Sequence, residues 1–382
     1  MSLLLAEPEE LGIDPDRWEQ AAEFAQLLVE QDRVPAIAYQ LVRPDAATTP
    51  VAWGRLTLAD EPSRQPLPTD SLFLTASLSK PIVAMTVLKL VEAGLLSLQD
   101  KVCDLLPESA AAPKRLLTVR HLLTHTSGLP DMLPNNRLLR KSQAELDRFV
   151  QGACSVTLDF PPGRGVQYQS MGYALLGEII GRISGMSCRD YVHTAICAPL
   201  GMTDTVLGAP RERLADEQYV SRIAEVRVPE DQQEGLDWNW NSSYWRTLGA
   251  PWGGVLSTVA DLTRFLQMML QSGDAPGGRL FAPATIETAT SNQLETLHDL
   301  PEGDRRTRGW GHGWRLNWLS HSAPFGDLLP PQTYGHWGAT GTLWWVDPLR
   351  SVGLVLLSSQ PLGRDDSLLL RLSNRIASSV LE

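Results

Sequence analysis

A serine and a lysine three residues apart, Ser77 and Lys80, constrain the fold of this chain more than any other feature. On a helix, residues i and i+3 share a face, so the lysine amine can reach the serine hydroxyl and accept its proton. The flanking residues are typical of a buried helix start, where desolvation lowers the pKa of a lysine. Pro81 fits this placement, because proline is tolerated in a first helical turn. The sequence therefore predicts that Ser77 is a nucleophile and Lys80 its base.

The order of predicted helices and strands indicates the fold class. A helix and two strands come first, a long and mostly helical stretch follows, and two strands and a helix close the sequence. We predict an α/β (α+β) fold, in which an antiparallel sheet is flanked by the N- and C-terminal helices and a mostly helical domain is inserted. We expect residues 1–95 and 250–382 to form the sheet domain and residues 96–249 to form the insert, with the active site in the cleft between them. The predicted strands are Val34–Arg43, Val51–Leu58, Thr342–Val346 and Val352–Ser358, and the predicted helices include one from Pro15, Ser257–Met269 and Asp366–Leu381.

Composition and charge exclude several classes of partner. The chain has 382 residues and a net charge of −11, without a basic stripe that could neutralise phosphates, so we expect no nucleic acid partner. No apolar run approaches the ~18 residues that span a bilayer. The first residues carry no export signal, which favours the cytoplasm, although a leader absent from this sequence would place the protein in the periplasm or outside the cell. The 4 cysteines are too few for a disulfide framework in so long a chain.

Motifs that would bind a cofactor or a metal are missing from the sequence. It contains no P-loop and no dinucleotide fingerprint. The G-x-S-x-G motif, which marks the nucleophile of an α/β-hydrolase, is also absent from the sequence. His121 and His125 are spaced like metal ligands on a helix, but no glutamate completes H-E-x-x-H and no third ligand is obvious, so we expect no metal site there. We therefore predict a protein that uses neither a cofactor nor a metal.

Two further segments could complete an active site with Ser77 and Lys80. Tyr168 lies between a predicted loop and a predicted helix start, and its hydroxyl can relay a proton if a nearby ammonium stabilises the phenolate. Gly335–Gly341 precedes a predicted strand, and a glycine-flanked strand edge can bring backbone N–H groups close to a substrate carbonyl.

These three segments, in this order and at wide spacing, resemble the serine β-lactamase and penicillin-binding protein superfamily. The chain is most similar to its class C β-lactamase and family VIII carboxylesterase branch. The resemblance implies that Ser77 is acylated, that Lys80 accepts its proton and that Tyr168 passes protons to the leaving group. It also implies an oxyanion hole made by the backbone N–H groups of Ser77 and Ala339. Further matching segments are Leu11–Asp14, Leu117–Leu129, Pro199–Met202, Gly253–Thr258 with Asp261, and His336–Gly338.

Two departures from the β-lactamase pattern bear on the substrate. Ser170 stands where that branch has asparagine, and His336 and Trp337 stand where it has lysine and a hydroxyl residue. A neutral imidazole and an indole provide no fixed charge to hold a substrate carboxylate. We therefore expect Ser170, His336, Trp337 and Gly338 to bind a small carboxylic ester, because the bulk of Trp337 suits an apolar group.

Three other functions stay open at this stage. The enzyme could be a peptidase or amidase for D-amino-acid peptides, and esterases and such peptidases both lack the lysine. Weak β-lactam hydrolysis could accompany either activity. A sensor that kept the fold and lost turnover is the third, although retention of Ser77, Lys80 and Tyr168 speaks against it.

The tryptophans are concentrated in one part of the chain. Ten of the 12 fall between Trp238 and Trp345, which indicates either core packing or an apolar rim over the site. Packing is also the simpler role for His312. The residues that would form the rim are Trp238, Trp240, Tyr244, Trp245 and Trp252.

Overall fold

The computed structural model describes residues 3–62, 66–111, 113–317, 325–363 and 367–381. Its centre is a six-stranded sheet with the strand order β2-β1-β11-β10-β9-β8, in which every neighbouring pair is antiparallel. The strands in chain order are β1 (Ala36–Val42), β2 (Val51–Gly54), β3 (Phe73–Leu74), β4 (Val206–Leu207), β5 (Val255–Ser257), β6 (Asp274–Ala275), β7 (Gly278–Arg279), β8 (Arg315–Leu316), β9 (Tyr334–Gly338), β10 (Thr342–Asp347) and β11 (Val352–Ser358).

Helices cover both faces of this sheet and fill the chain between its two halves. A short 3-10 turn, Ala76–Leu78, directly precedes the second helix, and a π-helical turn occupies His193–Cys197. The helices are α1 (Pro15–Glu30), α2 (Ser79–Glu92), α3 (Val102–Leu105), α4 (Val119–Leu123), α5 (Asn136–Lys141), α6 (Leu146–Ser155), α7 (Met171–Ser184), α8 (Cys188–Val192), α9 (Ala198–Leu200), α10 (Arg211–Leu214), α11 (Glu217–Val220), α12 (Ser243–Leu248), α13 (Val259–Leu270), α14 (Pro283–Thr290), α15 (Glu302–Thr307) and α16 (Ser367–Ser379).

The sheet is buried on both faces, because side chains alternate between two cores. Trp345 and Leu356 pack with α1 and α16, whereas their neighbours Trp344 and Leu357 pack with α2 and α13. Successive side chains of a strand point to opposite faces, which is why both indoles of the Trp344–Trp345 pair can be fully buried. The turn that carries Ser77 and the helix α2 that follows it lie on the second of these faces.

The predicted fold class is confirmed. The strands from both ends of the chain share one antiparallel sheet, and α1 and α16 lie together on one face. The first two predicted strands are present with shorter ends, the strand predicted over Val352–Ser358 has its predicted bounds, and β10 extends one residue beyond the predicted Val346. Thr258 rather than Ser257 caps α13, because Ser257 ends β5. Asp366, the predicted start of the last helix, lies outside the described residues. The division at residues 95 and 250 stays a prediction.

The turn that carries Ser77 is fixed by bonds to distant segments. Thr340 and Thr342, from the β9–β10 hairpin, donate hydroxyl hydrogen bonds to the carbonyl oxygens of Leu74 (2.6 Å) and Thr75 (2.7 Å). Ala76 has a positive φ of 47°, a conformation that costs an alanine about 1–3 kcal/mol. The hairpin thus holds the backbone of the turn in a shape that it would not adopt alone.

Among the helices that the structure describes, none combines the length and the apolar character that crossing a bilayer requires.

The hairpin turn itself depends on Gly341, and we predict that Gly341→Ala destabilises the protein. Gly341 has a φ of +88°, and an added Cβ would lie 1.8 Å from the carbonyl oxygen of Gln360. We expect the free energy of unfolding to fall by about 1–3 kcal/mol or more, as measured by urea denaturation. Gly277→Ala is the matched control, since an added Cβ there meets nothing within 4 Å. Equal stabilities of the two variants would contradict this account.

Candidate active site

Ser77 and Lys80 lie in contact at the start of α2. The Lys80 Nζ donates hydrogen bonds to the Ser77 Oγ (3.0 Å) and to the carbonyl oxygen of Trp252 (2.9 Å). Lys80 is fully buried, whereas Ser77 keeps part of its surface exposed. The predicted pairing of the two side chains is therefore present, with the hydroxyl on the accessible side.

Burial changes the acid–base behaviour of Lys80. It lowers the pKa of the amine from 10.5 to about 7, while the nearby Asp131 carboxylate acts in the opposite direction. An ammonium is disfavoured away from water, and the hydrogen-bonding carbonyl of Trp252 carries no charge that would offset this. Near neutral pH, the neutral amine is consequently a substantial fraction of Lys80 and can accept a proton.

Tyr168 faces the same pair but is a neutral phenol. Burial raises its pKa well above 10, and hydrogen bonding with Ser77 opposes this to a smaller extent. The Lys80 Nζ lies over the ring face, 4.7 Å from its centroid, and the ring stacks on that of Trp337 at 5.9 Å. The ammonium-stabilised phenolate considered from sequence is therefore not the resting state, because burial disfavours the phenolate and the neighbouring amine is itself easily deprotonated.

Ser77 opens into a cavity of about 310 Å³, a size suited to a small organic molecule. Of the residues predicted from sequence, those that line it are Ser77, Tyr168, Ser170, Trp337 and Ala339. Ala339 is exposed in the turn that follows β9. The segment Gly335–Gly341 precedes a strand, β10, as predicted, and it also contains most of β9 and the turn between the two strands.

His336 and Gly338, predicted to bind substrate, are buried and are not among the residues that line the cavity. Burial, with a smaller effect of Lys80, lowers the pKa of His336 to about 3, so the imidazole is neutral. Its Nδ1 lies 2.7 Å from the carbonyl oxygen of Trp337, which fixes the proton on that nitrogen. At Gly338, an added Cβ would lie 2.4 Å from the Thr75 carbonyl oxygen, so this glycine allows β9 to approach the nucleophile turn closely.

Sequence reasoning missed two charged residues in the cavity wall, Asp131 and Arg140. The Asp131 Oδ1 accepts a hydrogen bond of 2.7 Å from the Ser170 hydroxyl. The two residues are 39 positions apart, so only the fold brings them together. Asp131 lies two residues after the Leu117–Leu129 segment, and this proximity to a motif was the one available signal.

The tryptophan-rich segment contributes to both packing and the cavity. Trp240, Trp245 and Trp252 line the cavity, although Trp245 and Trp252 are almost completely buried. Trp238 and Tyr244 are not among the lining residues. The packing interpretation therefore applies to most of the segment, and three of the five residues predicted to form a rim also contribute to the cavity wall.

The histidines of the motif segments make packing and helix-capping contacts. His121 lies in the capping box at the start of α4, and His125 packs against Tyr168 and Trp310. His312 is buried and is not among the cavity-lining residues. Within the described ranges, His, Cys, Asp and Glu side chains do not gather in groups of three that could hold a metal ion.

The fold is that of a serine hydrolase built on the β-lactamase and penicillin-binding protein scaffold. The sequence model described as Beta-lactamase matches residues 21–377, and the chain belongs to that family.

Individual similar proteins carry several different names. "Penicillin-binding protein 4" of Amycolatopsis lactamdurans is 34% identical over 279 residues, which are 72% of this chain and 67% of that protein. A protein of Salmonella enteritidis, provisionally named a D-alanyl-D-alanine carboxypeptidase, is 27% identical over 94% of this chain and 86% of its own length. The crystal structure of a family VIII carboxylesterase superposes with a TM-score of 0.73 over 95% of this chain and 98% of that chain, at 19% identity. Proteins of this family carry different names, so family membership alone does not identify the substrate of this chain. The substrate has to be inferred from the chemistry of the site.

The lowered pKa of Lys80 predicts how reaction at Ser77 depends on pH. We expect the rate at which a fluorophosphonate labels Ser77 to rise with pH and to reach half its maximum near pH 7, because only the neutral amine accepts the proton. Asp131→Asn removes a charge that raises the pKa of Lys80, so the midpoint should move to lower pH. The exposed Asp60→Asn is the charge-matched control and should leave the midpoint in place. A midpoint that Asp131→Asn does not move would refute the coupling.

Proposed function

We propose that this protein is a carboxylesterase that cleaves small esters through an acyl-enzyme on Ser77. The observation that supports this most directly is the 3.0 Å contact between the Lys80 Nζ and the Ser77 Oγ beside a tryptophan-walled cavity. A buried amine with a pKa of about 7 is matched to general-base work at neutral pH.

In the acylation step, the Ser77 Oγ attacks the ester carbonyl carbon while Lys80 takes the hydroxyl proton. The negative charge that develops on the carbonyl oxygen is stabilised by the backbone N–H groups of Ser77 and Ala339, each worth about 2.7–4 kcal/mol in the transition state. The C–O bond to the alcohol then breaks. The Tyr168 phenol donates a proton to the departing oxygen and regains one from the Lys80 ammonium.

In the deacylation step, water attacks the acyl-enzyme and the same groups work in reverse. Lys80, neutral again, accepts a proton from the water through Tyr168, and the two N–H groups stabilise the second oxyanion. Ser77 leaves with its proton restored, and the carboxylic acid product departs. Every proton that a residue takes up in these two steps is given back, and neither step uses a cofactor.

The ester preference is supported by what surrounds the nucleophile. His336 is buried and neutral, so the position where β-lactamases have lysine offers no charge for a substrate carboxylate. A charge-assisted hydrogen bond lost in this way is worth roughly 1.5–3 kcal/mol. Trp337, stacked on Tyr168, presents an apolar surface instead.

A D-amino-acid peptidase or amidase is the second candidate, and Asp131 is the observation that favours it. Its carboxylate, bonded to the Ser170 hydroxyl within the cavity wall, could pair with the ammonium of an amino-acyl substrate. The provisional name of the Salmonella relative points towards the same class of substrate.

A panel of three substrates tests the ester assignment. We expect a short-chain aryl ester to be turned over faster than a D-alanyl anilide and a chromogenic cephalosporin, as measured by initial rates at equal concentration. Cleavage of the anilide with an inert ester would replace the first candidate by the second. A protein that turns over none of the three, and that forms no adduct on Ser77 with a fluorophosphonate by mass spectrometry, is a sensor.

The role of Tyr168 is tested by removing its hydroxyl. We expect Tyr168→Phe to lower kcat for the aryl ester by about 10²–10⁴-fold, because proton transfer to the leaving oxygen loses its donor. Tyr219→Phe is the matched control, since it removes the buried hydroxyl of another tyrosine, one that packs with Ile223 and Trp245. Ser77→Ala should abolish the adduct altogether. A Tyr168→Phe enzyme with unchanged kcat would assign the proton transfer elsewhere.

A further inference from the structure

Arg140 is placed by a short helix so that it reaches the Ser77 cavity. Asn136 and Arg140 are one turn apart on α5, and both line the cavity. Side chains at i and i+4 share a helix face. Lys141, the next residue, is exposed. The helix thus presents one arginine to the cavity and the neighbouring lysine to solvent.

The Arg140 guanidinium is buried with only part of its hydrogen-bonding capacity used. The residue is 7% exposed, and its Nη2 donates to the Oε1 of Gln232 (3.0 Å) and to the carbonyl oxygen of Trp238 (3.2 Å). Its Nε is buried without a hydrogen-bond partner among the described residues. Both acceptors are neutral, so the described residues supply no ion pair to this charge.

Two indoles hold the guanidinium in place but do not neutralise it. The Arg140 Cζ lies 5.0 Å from the ring centroid of Trp238 and 4.5 Å from that of Trp245. Desolvated cation–π contacts of this kind stabilise a cation by about 2 kcal/mol or more. This stabilisation is smaller than the free energy that it costs to transfer a charge from water into the protein interior. Burial lowers the pKa of Arg140 to about 10, so the group still carries its charge at neutral pH. Tyr244 and Asp231 act on this charge through space, but the described residues give it no direct ion-pair partner, so a fixed cation borders the cavity.

We propose that Arg140 is the recognition site for a carboxylate carried by the substrate. The planar guanidinium matches the geometry of a carboxylate, and its unpartnered Nε is a donor that no described protein group takes up. The inference rests on the proposed function in that the carboxylate belongs to an ester attacked by Ser77. The Asp131 carboxylate, hydrogen-bonded to Ser170 near the nucleophile, repels a second anion there and so favours an anionic group at the Arg140 end. The preferred substrates are then esters with one free carboxylate.

Matched ester pairs test this recognition. One pair is 4-nitrophenyl hemiglutarate and 4-nitrophenyl valerate, which place a carboxylate or a methyl group at the end of the acyl chain. The other pair is 4-acetoxybenzoate and 4-acetoxytoluene, which do the same on the alcohol side. We expect Arg140→Gln to lower kcat/KM at least about tenfold for the anionic member of one pair, relative to its neutral partner. Lys141→Gln, the charge-matched control, should change that ratio by less than about twofold.

A purely structural Arg140 predicts a different result. In that case Arg140→Gln lowers kcat/KM equally for both esters of each pair, and this result overturns the proposal. If Arg140→Gln does not fold, Arg140→Lys keeps the charge without the planar fork, and the anionic preference should fall while neutral esters are still cleaved.

Binding to the wild-type protein provides a readout that needs no turnover. Calorimetric titration should show that glutarate binds and that the uncharged glutaramide does not. Absence of glutarate binding overturns the proposal even if esters are cleaved. Glutarate binding to a protein that cleaves no ester would instead retain the anion site and reject the esterase assignment.

Discussion

The hydrogen bond between the Lys80 amine and the Ser77 hydroxyl is the contact on which the rest of the site depends. This contact allows Lys80 to accept a proton at neutral pH only because the amine is buried away from water. An exposed lysine with its usual pKa of 10.5 would hold its proton at neutral pH and could accept none. The packing of α2 against the core therefore has two effects, because it stabilises the helix and lowers the pKa of Lys80 to about 7.

Electrostatics divides the cavity into regions with different roles. Around the nucleophile, neutral groups predominate: a phenol, an imidazole with a strongly lowered pKa, and an amine that is easily deprotonated. The formal charges in the wall are Asp131 and Arg140. Asp131 opposes the effect of burial on Lys80 and so limits how far the pKa of the amine falls.

Much of this arrangement can be predicted from the sequence, and the reasons are local. Ser77 and Lys80 are neighbours on one helix turn, so their contact follows from helical geometry. The order of elements along the chain likewise predicts one sheet built from strands of both chain ends. The family motifs then single out Tyr168 and Ala339.

What could not be predicted depends on tertiary contacts. The pairing of Asp131 with Ser170 joins a loop to the start of α7, and no periodicity links them. Arg140 appears in the sequence as one of many arginines, and its burial between two indoles is decided by residues about a hundred positions away. His336 was expected at the cavity because of its motif, yet the strand that contains it buries the ring.

The threonine tethers of the nucleophile turn have a consequence for how the protein matures. Thr340 and Thr342 bond to residues 266 and 267 positions earlier in the chain. A polypeptide still being synthesised contains Ser77 long before it contains these partners. The turn that carries Ser77 therefore cannot acquire these two bonds until residues 340 and 342 have been synthesised and have folded against it.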